Sequence, residues 1–275
     1  MTGPEAGRPG RERLDQALFR RGLLPSRAAA AGAILAGAVQ VDGRPARKPG
    51  QAVDPDSEIR VAAGPAPFAS RAGGKLAAAL DRFGLDPAGL VCLDAGASTG
   101  GFTDCLLRRG AARVYAVDVG YGQLAWRLRT DPRVVVRERL NARHLTEADV
   151  PEEVDLATAD LSFISFAKVL PALGARVRRG GPCDSIAALW KPQFEAGPRQ
   201  VGRGGIVRDP DVHRDVLRRL GAECAALGWN VHALVPAAVR GTDGNREFMA
   251  WLRRAPAGSL QAQVEAAVGE AWRED

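Results

Sequence analysis

Apolar residues recur along this chain with two different periods. Leu14, Leu18 and Phe19 fall on one side of a first helix, with Arg20 and Arg21 opposite. After a break at residues 22–25, Ser26 stands where a second helix needs its N-cap, and that helix runs on through Ala28 to Ala36. The period then drops to two in Val39-Gln40-Val41, and the following Asp42-Gly43 predicts a hairpin turn. Ile59-Arg60-Val61 supplies another short strand. Helical spacing returns with Leu76, Ala79, Leu80 and Phe83. Beyond it, apolar runs at 90–94, 113–118, 133–137, 154–159, 185–190, 230–235 and 246–252 alternate with helical stretches near 102–109, 122–129, 165–178 and 211–227. Such alternation predicts a Rossmann-like, doubly wound α/β sheet of seven strands whose last two form an antiparallel pair. The divisions expected are a disordered start (1–10), a small α+β unit (11–61), a Pro/Gly/Ala linker (62–70), the α/β domain (71–256) and a helical C-terminal tail (257–275).

The α/β domain opens on Val91-Cys92-Leu93-Asp94-Ala95-Gly96-Ala97-Ser98-Thr99-Gly100-Gly101-Phe102-Thr103-Asp104. An apolar strand ending in an acid and a glycine turn, with Ser98 or Thr99 placed to cap the next helix, is how doubly wound domains build a cofactor cradle. About 20 residues on, a second strand ends in Asp118, where an acid accepts hydrogen bonds from ribose hydroxyls. A dinucleotide does not fit. Its fingerprint needs a second glycine so that the backbone can approach the pyrophosphate, and Ser98 occupies that position. The pattern suits a ribose-bearing cofactor without pyrophosphate, such as S-adenosylmethionine, with Asp94 expected to hold its positively charged amino group. The competing reading is a tight strand-to-helix turn and nothing more; the spacing to Asp118 favours the cofactor.

Composition narrows the setting. Of 275 residues, 46% are apolar and 25% charged, which excludes global disorder. No apolar run approaches the roughly 18 residues that span a bilayer, and the first residues lack a signal-peptide pattern, so a cytoplasmic protein is expected. The four cysteines are scattered and only three histidines occur, so neither a metal site nor a disulfide framework is expected. The net charge of +6 permits a nucleic-acid partner. Eight basic residues (Arg11, Arg13, Arg20, Arg21, Arg27, Arg44, Arg47, Lys48) against three acids concentrate that charge between residues 11 and 48. Of 38 basic residues only Lys48, Lys75, Lys168 and Lys191 are lysine. In so arginine-biased a chain, each lysine is a candidate for work that needs a proton released, which a guanidinium cannot do.

Polar residues at the carboxyl ends of parallel strands face the ligand crevice. The fourth strand ends in Asp160 and the fifth in Lys191; the last opens with Glu247, and Lys75 lies on the helix before the first strand. A ribose hydroxyl is a very weak acid, and a lysine near its usual pKa of ~10.4 is a poor base at neutral pH. The set therefore suggests two ammonium groups crowding one another, Asp160 orienting one and Glu247 the other. Two ordinary ion pairs are the plainer alternative. The Gly- and Arg-rich stretch 191–210 is expected to form a mobile flap.

Arg13-Leu14-Asp15, Ser26-Arg27, Gly37-x-Val39-x-Val41-Asp42-Gly43, Lys48-Pro49 and Ile59-x-Val61 resemble an S4-type RNA-binding domain. Gly96-Ala97-Ser98-Thr99-Gly100-Gly101-Phe102-Thr103-Asp104, Ala116-Val117-Asp118-Val119-Gly120-Tyr121-Gly122-Gln123-Leu124, Asp160-Leu161-Ser162-Phe163-Ile164-Ser165, Lys191-Pro192-Gln193-Phe194-Glu195 and Gly244-Asn245-Arg246-Glu247-Phe248 resemble the TlyA family, over roughly residues 11–254. That family joins an S4 domain to an FtsJ-like ribose 2′-O-methyltransferase, and some members carry a haemolysin label. The resemblance implies a catalytic set of Lys75, Asp160, Lys191 and Glu247. It implies S-adenosylmethionine contacts at Asp94, Gly96, Ala97, Ser98, Thr99, Gly100, Gly101, Asp118, Asn141, Asp160 and Phe163. RNA contacts are expected from Arg11, Arg13, Arg20, Arg27, Arg44, Lys48 and Arg71. The implied partner is ribosomal RNA in ribosomal subunits, methylated on cytidine 2′-hydroxyls by a monomer. Two departures stand out. Leu140 replaces a threonine in Glu138-Arg139-Leu140-Asn141, and the linker is smaller than usual. Base methylation is the competing chemistry: Asp-Leu-Ser-Phe is not the Asn/Asp-Pro-Pro-Tyr of N-methylation, and Cys183 is the only superficial match to a carbon-5 nucleophile. A membrane-active haemolysin and an idle RNA-binding factor are readings of other classes.

Overall fold

In the computed structural model the chain divides into two units, residues 1–71 and 72–275. The structure describes residues 11–35, 37–61, 68–202, 204–241 and 244–273. The expected disordered start and most of the expected linker (62–67) lie outside the described residues.

The first unit runs β1 (Glu12–Arg13), α1 (Leu14–Arg20), α2 (Arg27–Leu35), β2 (Val39–Val41), β3 (Arg44–Pro45), β4 (Ala52–Val53) and β5 (Ile59–Val61). Ser26 Oγ accepts the Ala29 N–H at 3.0 Å, so α2 starts where the cap residue stands. Asp42 and Gly43 both take positive φ (50° and 74°), the geometry of a tight hairpin turn, and bring Val41 opposite Arg44. β5 pairs with the other edge of β2. Leu14, Leu18, Ile34, Val39 and Val53 close a small apolar core.

The second unit runs α3 (Ala72–Phe83), β6 (Val91–Ala95), α4 (Gly101–Arg108), β7 (Arg113–Val117), α5 (Trp126–Arg129), β8 (Val134–Arg137), β9 (Leu156–Ala159), α6 (Leu170–Arg176), β10 (Ser185–Trp190), α7 (Pro192–Glu195), α8 (Pro210–Ala226), β11 (Asn230–Pro236), β12 (Phe248–Arg253) and α9 (Leu260–Arg273). One seven-stranded sheet has the order β11-β12-β10-β9-β6-β7-β8. β6 to β10 are parallel, whereas β12 runs antiparallel between β10 and β11. The chain winds outward through β6, β7 and β8, then returns to lay β9 against the other side of β6. A crevice opens at such a reversal, beyond the carboxyl ends of the strands. The β10–β12 ladder ends with Trp190 opposite Phe248. The next residues on the two strands, Lys191 and Glu247, therefore stand at the same edge, one and two strands over from Asp160.

Two expectations need correcting. α9 is not an appended tail: Val264, Ala267 and Val268 are buried in the same core as Leu220 of α8 and Val231 of β11. Its apolar stripe covers a sheet edge that α8 alone leaves open. Nor does Ser98 or Thr99 cap α4. Gly100, at φ 96°, takes the cap position, where no side chain is available. The job passes to Asp94 at the end of β6, which accepts the Thr103 N–H and the Thr103 hydroxyl, the latter at 2.7 Å.

Candidate functional site

Gly96 leaves β6 at φ 84°, and a Cβ there would lie 2.3 Å from the Asp160 carbonyl oxygen. Only glycine lets the two strand ends approach so closely. Over them lies a cleft of about 490 Å³, lined by Gly96, Ser98, Asp118, Asn141, Asp160 and Phe163 among others. The glycine turn spends its own donors. Gly96 and Ala97 N–H both go to the Val117 carbonyl, Ser98 N–H goes to Asp118 Oδ2 at 2.8 Å, and Gly100 N–H goes to the Ala97 carbonyl. None of these four is left to face a ligand. Asp118 holds one backbone N–H on each oxygen (Ser98, and Gly120 at 2.6 Å) and keeps lone pairs for ribose hydroxyls. Asn141 Oδ1 caps the next turn by accepting from Arg143 N–H at 3.0 Å, leaving its amide hydrogens. Phe163, held at φ 62°, stands 89% exposed at the mouth, with its ring 4.8 Å from that of Phe194. The cleft thus offers a ribose-binding acid, an acid at its floor and an apolar mouth, which fits S-adenosylmethionine.

Ala97, Thr99, Gly100 and Gly101 build the turn and do not line the cleft. Gly100 faces Leu128, whose Cδ1 would be 2.3 Å from a Cβ. Asp94, expected to hold the amino group of the cofactor, is fully buried, with Thr103 Oγ1 at 2.7 Å and Thr158 Oγ1 at 3.2 Å. Burial pushes its carboxyl up to about 7, against the pull of the Thr103 hydroxyl, and the nearby Asp160 adds to the rise. Asp94 shapes the turn from beneath.

The sheet brings the four expected catalytic side chains together as two ion pairs. Lys75 Nζ lies 2.5 Å from Glu247 Oε2, and both residues are buried. Lys191 Nζ lies 2.6 Å from Asp160 Oδ1, while its directed hydrogen bond goes to Ser162 Oγ at 3.0 Å. Each ammonium group faces one carboxylate, the arrangement expected of Asp160 and Glu247 and also that of two ordinary ion pairs. A buried charge without a partner is far costlier than a paired one, and the neighbouring strand ends supply the partners. Only the Lys191–Asp160 pair borders the cleft, through Asp160 and Ser162.

Sequence reasoning missed four polar residues here. Gln193 Nε2 donates to Glu247 Oε1 at 3.0 Å, and Glu195 Oε1 accepts the Phe166 N–H at 2.8 Å. Ser162 meets Lys191, as described. Asn245, 3% exposed, accepts the Val207 N–H at 3.1 Å and donates to the Gly205 carbonyl at 2.9 Å. Within the stretch expected as a mobile flap, residues 192–195 form a helical turn, and these two bonds tie Gly205 and Val207 to the segment that carries Glu247. The spacing of the four missed residues carried no signal; only nearness in the chain to Asp160, Lys191 and Glu247 marked them.

In the first unit the basic residues divide in two. Arg11 pairs with Asp54, Arg13 and Arg27 with Asp15, and Arg20 with Glu12. Arg71 lays its side chain over Gly37. Arg44, Lys48 and also Arg47, which the expected contact set omits, are exposed and make no side-chain bond among the described residues.

Burial raises all four thiols, Cys105 to about 12, and Cys183 lies half-buried, so none is primed as a nucleophile. Among the described residues no group of three or more His, Cys, Asp and Glu could hold a metal ion, and no helix is long and apolar enough to cross a membrane.

The S4 domain family matches residues 12–59, and the FtsJ-like methyltransferase family matches residues 68–254. The 16S/23S rRNA (cytidine-2′-O)-methyltransferase TlyA of Mycobacterium tuberculosis is 48% identical over 266 residues, covering 96% of this chain and 98% of the relative. Hemolysin A of Brachyspira hyodysenteriae is 36% identical, over 86% of this chain and 98% of its own length. A solved Streptococcus thermophilus structure, described as a candidate haemolysin, superposes with a TM-score of 0.75 at 38% identity, covering 96% and 97% of the two chains. With an S4 match followed by an FtsJ-like match, and close identity along nearly its whole length, this chain belongs to the TlyA family of methyltransferases.

Proposed function

We propose that this protein is a cytoplasmic enzyme that transfers a methyl group from S-adenosylmethionine to the 2′-hydroxyl of cytidine in ribosomal RNA. The observation that carries the reading is the row Lys75–Glu247, Lys191–Asp160 at the edge of a cleft suited to a ribose-bearing, phosphate-free cofactor. When bound, S-adenosylmethionine supplies an electrophilic methyl on a sulfonium. Asp118 is the residue that accepts hydrogen bonds from its ribose, and Asp160 gives the cleft its negative floor.

Lys191 is assigned the hydroxyl proton of the target ribose, because its partner Asp160 and neighbour Ser162 border the cleft and Lys75 is enclosed behind Glu247. Asp160 is the carboxylate that Lys191 would share with a cationic ligand in the cleft. The hydroxyl need not ionise beforehand. Its proton grows more acidic as the oxygen–carbon bond forms, so Lys191 accepts it late. Lys75 and Glu247 hold the adjoining strand end and keep the charge of the row balanced.

Arg44, Arg47 and Lys48 are assigned to RNA phosphates, because their donors are unspent; contacts of this kind position the substrate and do not read its sequence. The haemolysin name of some relatives has no counterpart in a membrane-crossing helix among the described residues.

The test is transfer of labelled methyl from S-adenosylmethionine to purified ribosomal subunits, followed by alkaline hydrolysis. Label in alkali-resistant dinucleotides containing cytidine is expected. Label on a free base would overturn the reading in favour of base methylation, and no label would leave an RNA-binding protein.

A further inference from the structure

We propose that the single turn α7 is the positioning element of this row, with Gln193 and Glu195 as its positioning residues; the inference rests on reading the row as the centre of methyl transfer. The turn begins at Lys191 itself, whose carbonyl accepts the Phe194 N–H at 2.9 Å. Pro192 follows, buried, with its backbone torsion fixed by the ring. From this root the two side chains reach in different directions.

Gln193 reaches Glu247. A carboxylate only accepts, so the amide must turn its NH₂ toward Glu247 Oε1, and its carbonyl oxygen is then left buried without a partner. An apolar side chain of similar size would fill the same space without that orphaned acceptor. What the amide adds is the donor to Glu247. Gly241 completes the cradle: a Cβ there would stand 2.6 Å from Glu247 Oε1. One carboxylate oxygen therefore rests on Lys75 and the other on Gln193, which fixes both its place and its plane.

Glu195 reaches the loop that leaves β9. Its Oε1 accepts the Phe166 N–H at 2.8 Å, and its carbonyl takes the Arg219 guanidinium of α8. Between Asp160 and Phe166 lie Ser162, bonded to Lys191, and Phe163, against Phe194 of the same turn. α7 is thus tied to the β12 side through Gln193 and to the β9 side through Glu195, with Lys191 rooted between them. The β10–β12 ladder brings Lys191 and Glu247 to one edge, but it does not orient their side chains. The turn orients them.

The test is single-turnover and steady-state kinetics on the full chain with ribosomal subunits. Gln193→Leu removes the donor at similar volume. It is expected to lower kcat by about 100-fold, the scale of a misplacement of about 1 Å, with KM for S-adenosylmethionine unchanged. In a Glu247→Gln background the same change is expected to cost less than about twofold, because the group it positions has already been altered. Additive losses would overturn the assignment. Gln193→Asn, which withdraws the amide by one methylene, is read in the same way if the leucine variant fails to fold. Glu195→Ala is expected to raise KM for S-adenosylmethionine about tenfold by loosening a loop that lines the cleft, whereas Glu195→Gln keeps an acceptor oxygen and stays near wild type. Equal damage from Gln and Ala would overturn the role of Glu195. A wild-type protein that transfers no methyl sinks the reading beneath; an active wild type with additive variants sinks this inference alone.

Discussion

Asp94 is fully buried, and two threonine hydroxyls only partly offset the cost of its charge. Its folded-state pKa of about 7 lies above the ~3.9 of a free aspartate. Between those values the folded protein binds the proton more tightly than the unfolded chain does. The stability it contributes is therefore complete below about pH 4 and is lost as pH rises through 7. Asp94→Asn does not titrate, so its stability relative to wild type is expected to rise between pH 5 and pH 8 in thermal melts; a constant difference would show that Asp94 is already charged at pH 5. At Gly96 the conflict is steric: Gly96→Ala places a Cβ 2.3 Å from the Asp160 carbonyl at a φ of 84°. Calorimetry should show S-adenosylmethionine affinity falling at least about tenfold, in line with backbone strain of about 1–3 kcal/mol. Both positions were legible in the sequence as an acid and a glycine at a strand end. Which way the acid faced was not, because the turn decides whether a strand-end side chain meets the cleft or the helix beneath it.

Among the elements, the apolar strands of the large sheet were legible because burial on both faces leaves no polar interruptions. The strand from Ser185 to Trp190, buried along its whole length, matches the run read from the sequence. α7 was illegible. Four residues carry no period, and their importance lies in contacts with Phe166 and Glu247, far apart along the chain. α9 was legible as a helix, but its destination was not, since its apolar stripe has meaning only against α8 and β11. Val264→Asp puts an unpaired carboxylate into that seam and is expected to cost about 3–5 kcal/mol in denaturant unfolding. A loss below 1 kcal/mol would mean that α9 does not stay docked in solution.

For the molecule as a whole, charge was legible as an excess of arginine in the first unit, but composition does not tell spent donors from free ones. Arg13 and Arg27 share Asp15, itself buried, whereas Arg44, Arg47 and Lys48 stand exposed. Replacing each of the latter three with glutamine is expected to weaken binding to ribosomal subunits and to lower the slope of log affinity against log salt by about 0.7–0.9 per residue. Arg13→Gln should instead lower the melting temperature, because it removes a partner from Asp15. The reverse assignment of effects would move the RNA face to the paired arginines.

The catalytic account rests on Lys191 as an amine that takes a proton from a sugar hydroxyl beside Asp160. Arginine preserves the positive charge and a contact with the carboxylate but cannot release its proton. The most direct measurement is single-turnover methyl transfer by Lys191→Arg, with S-adenosylmethionine binding followed in the same preparation. The account predicts at least about a 1,000-fold loss of rate with cofactor affinity nearly unchanged. A wild-type rate in that variant would contradict it.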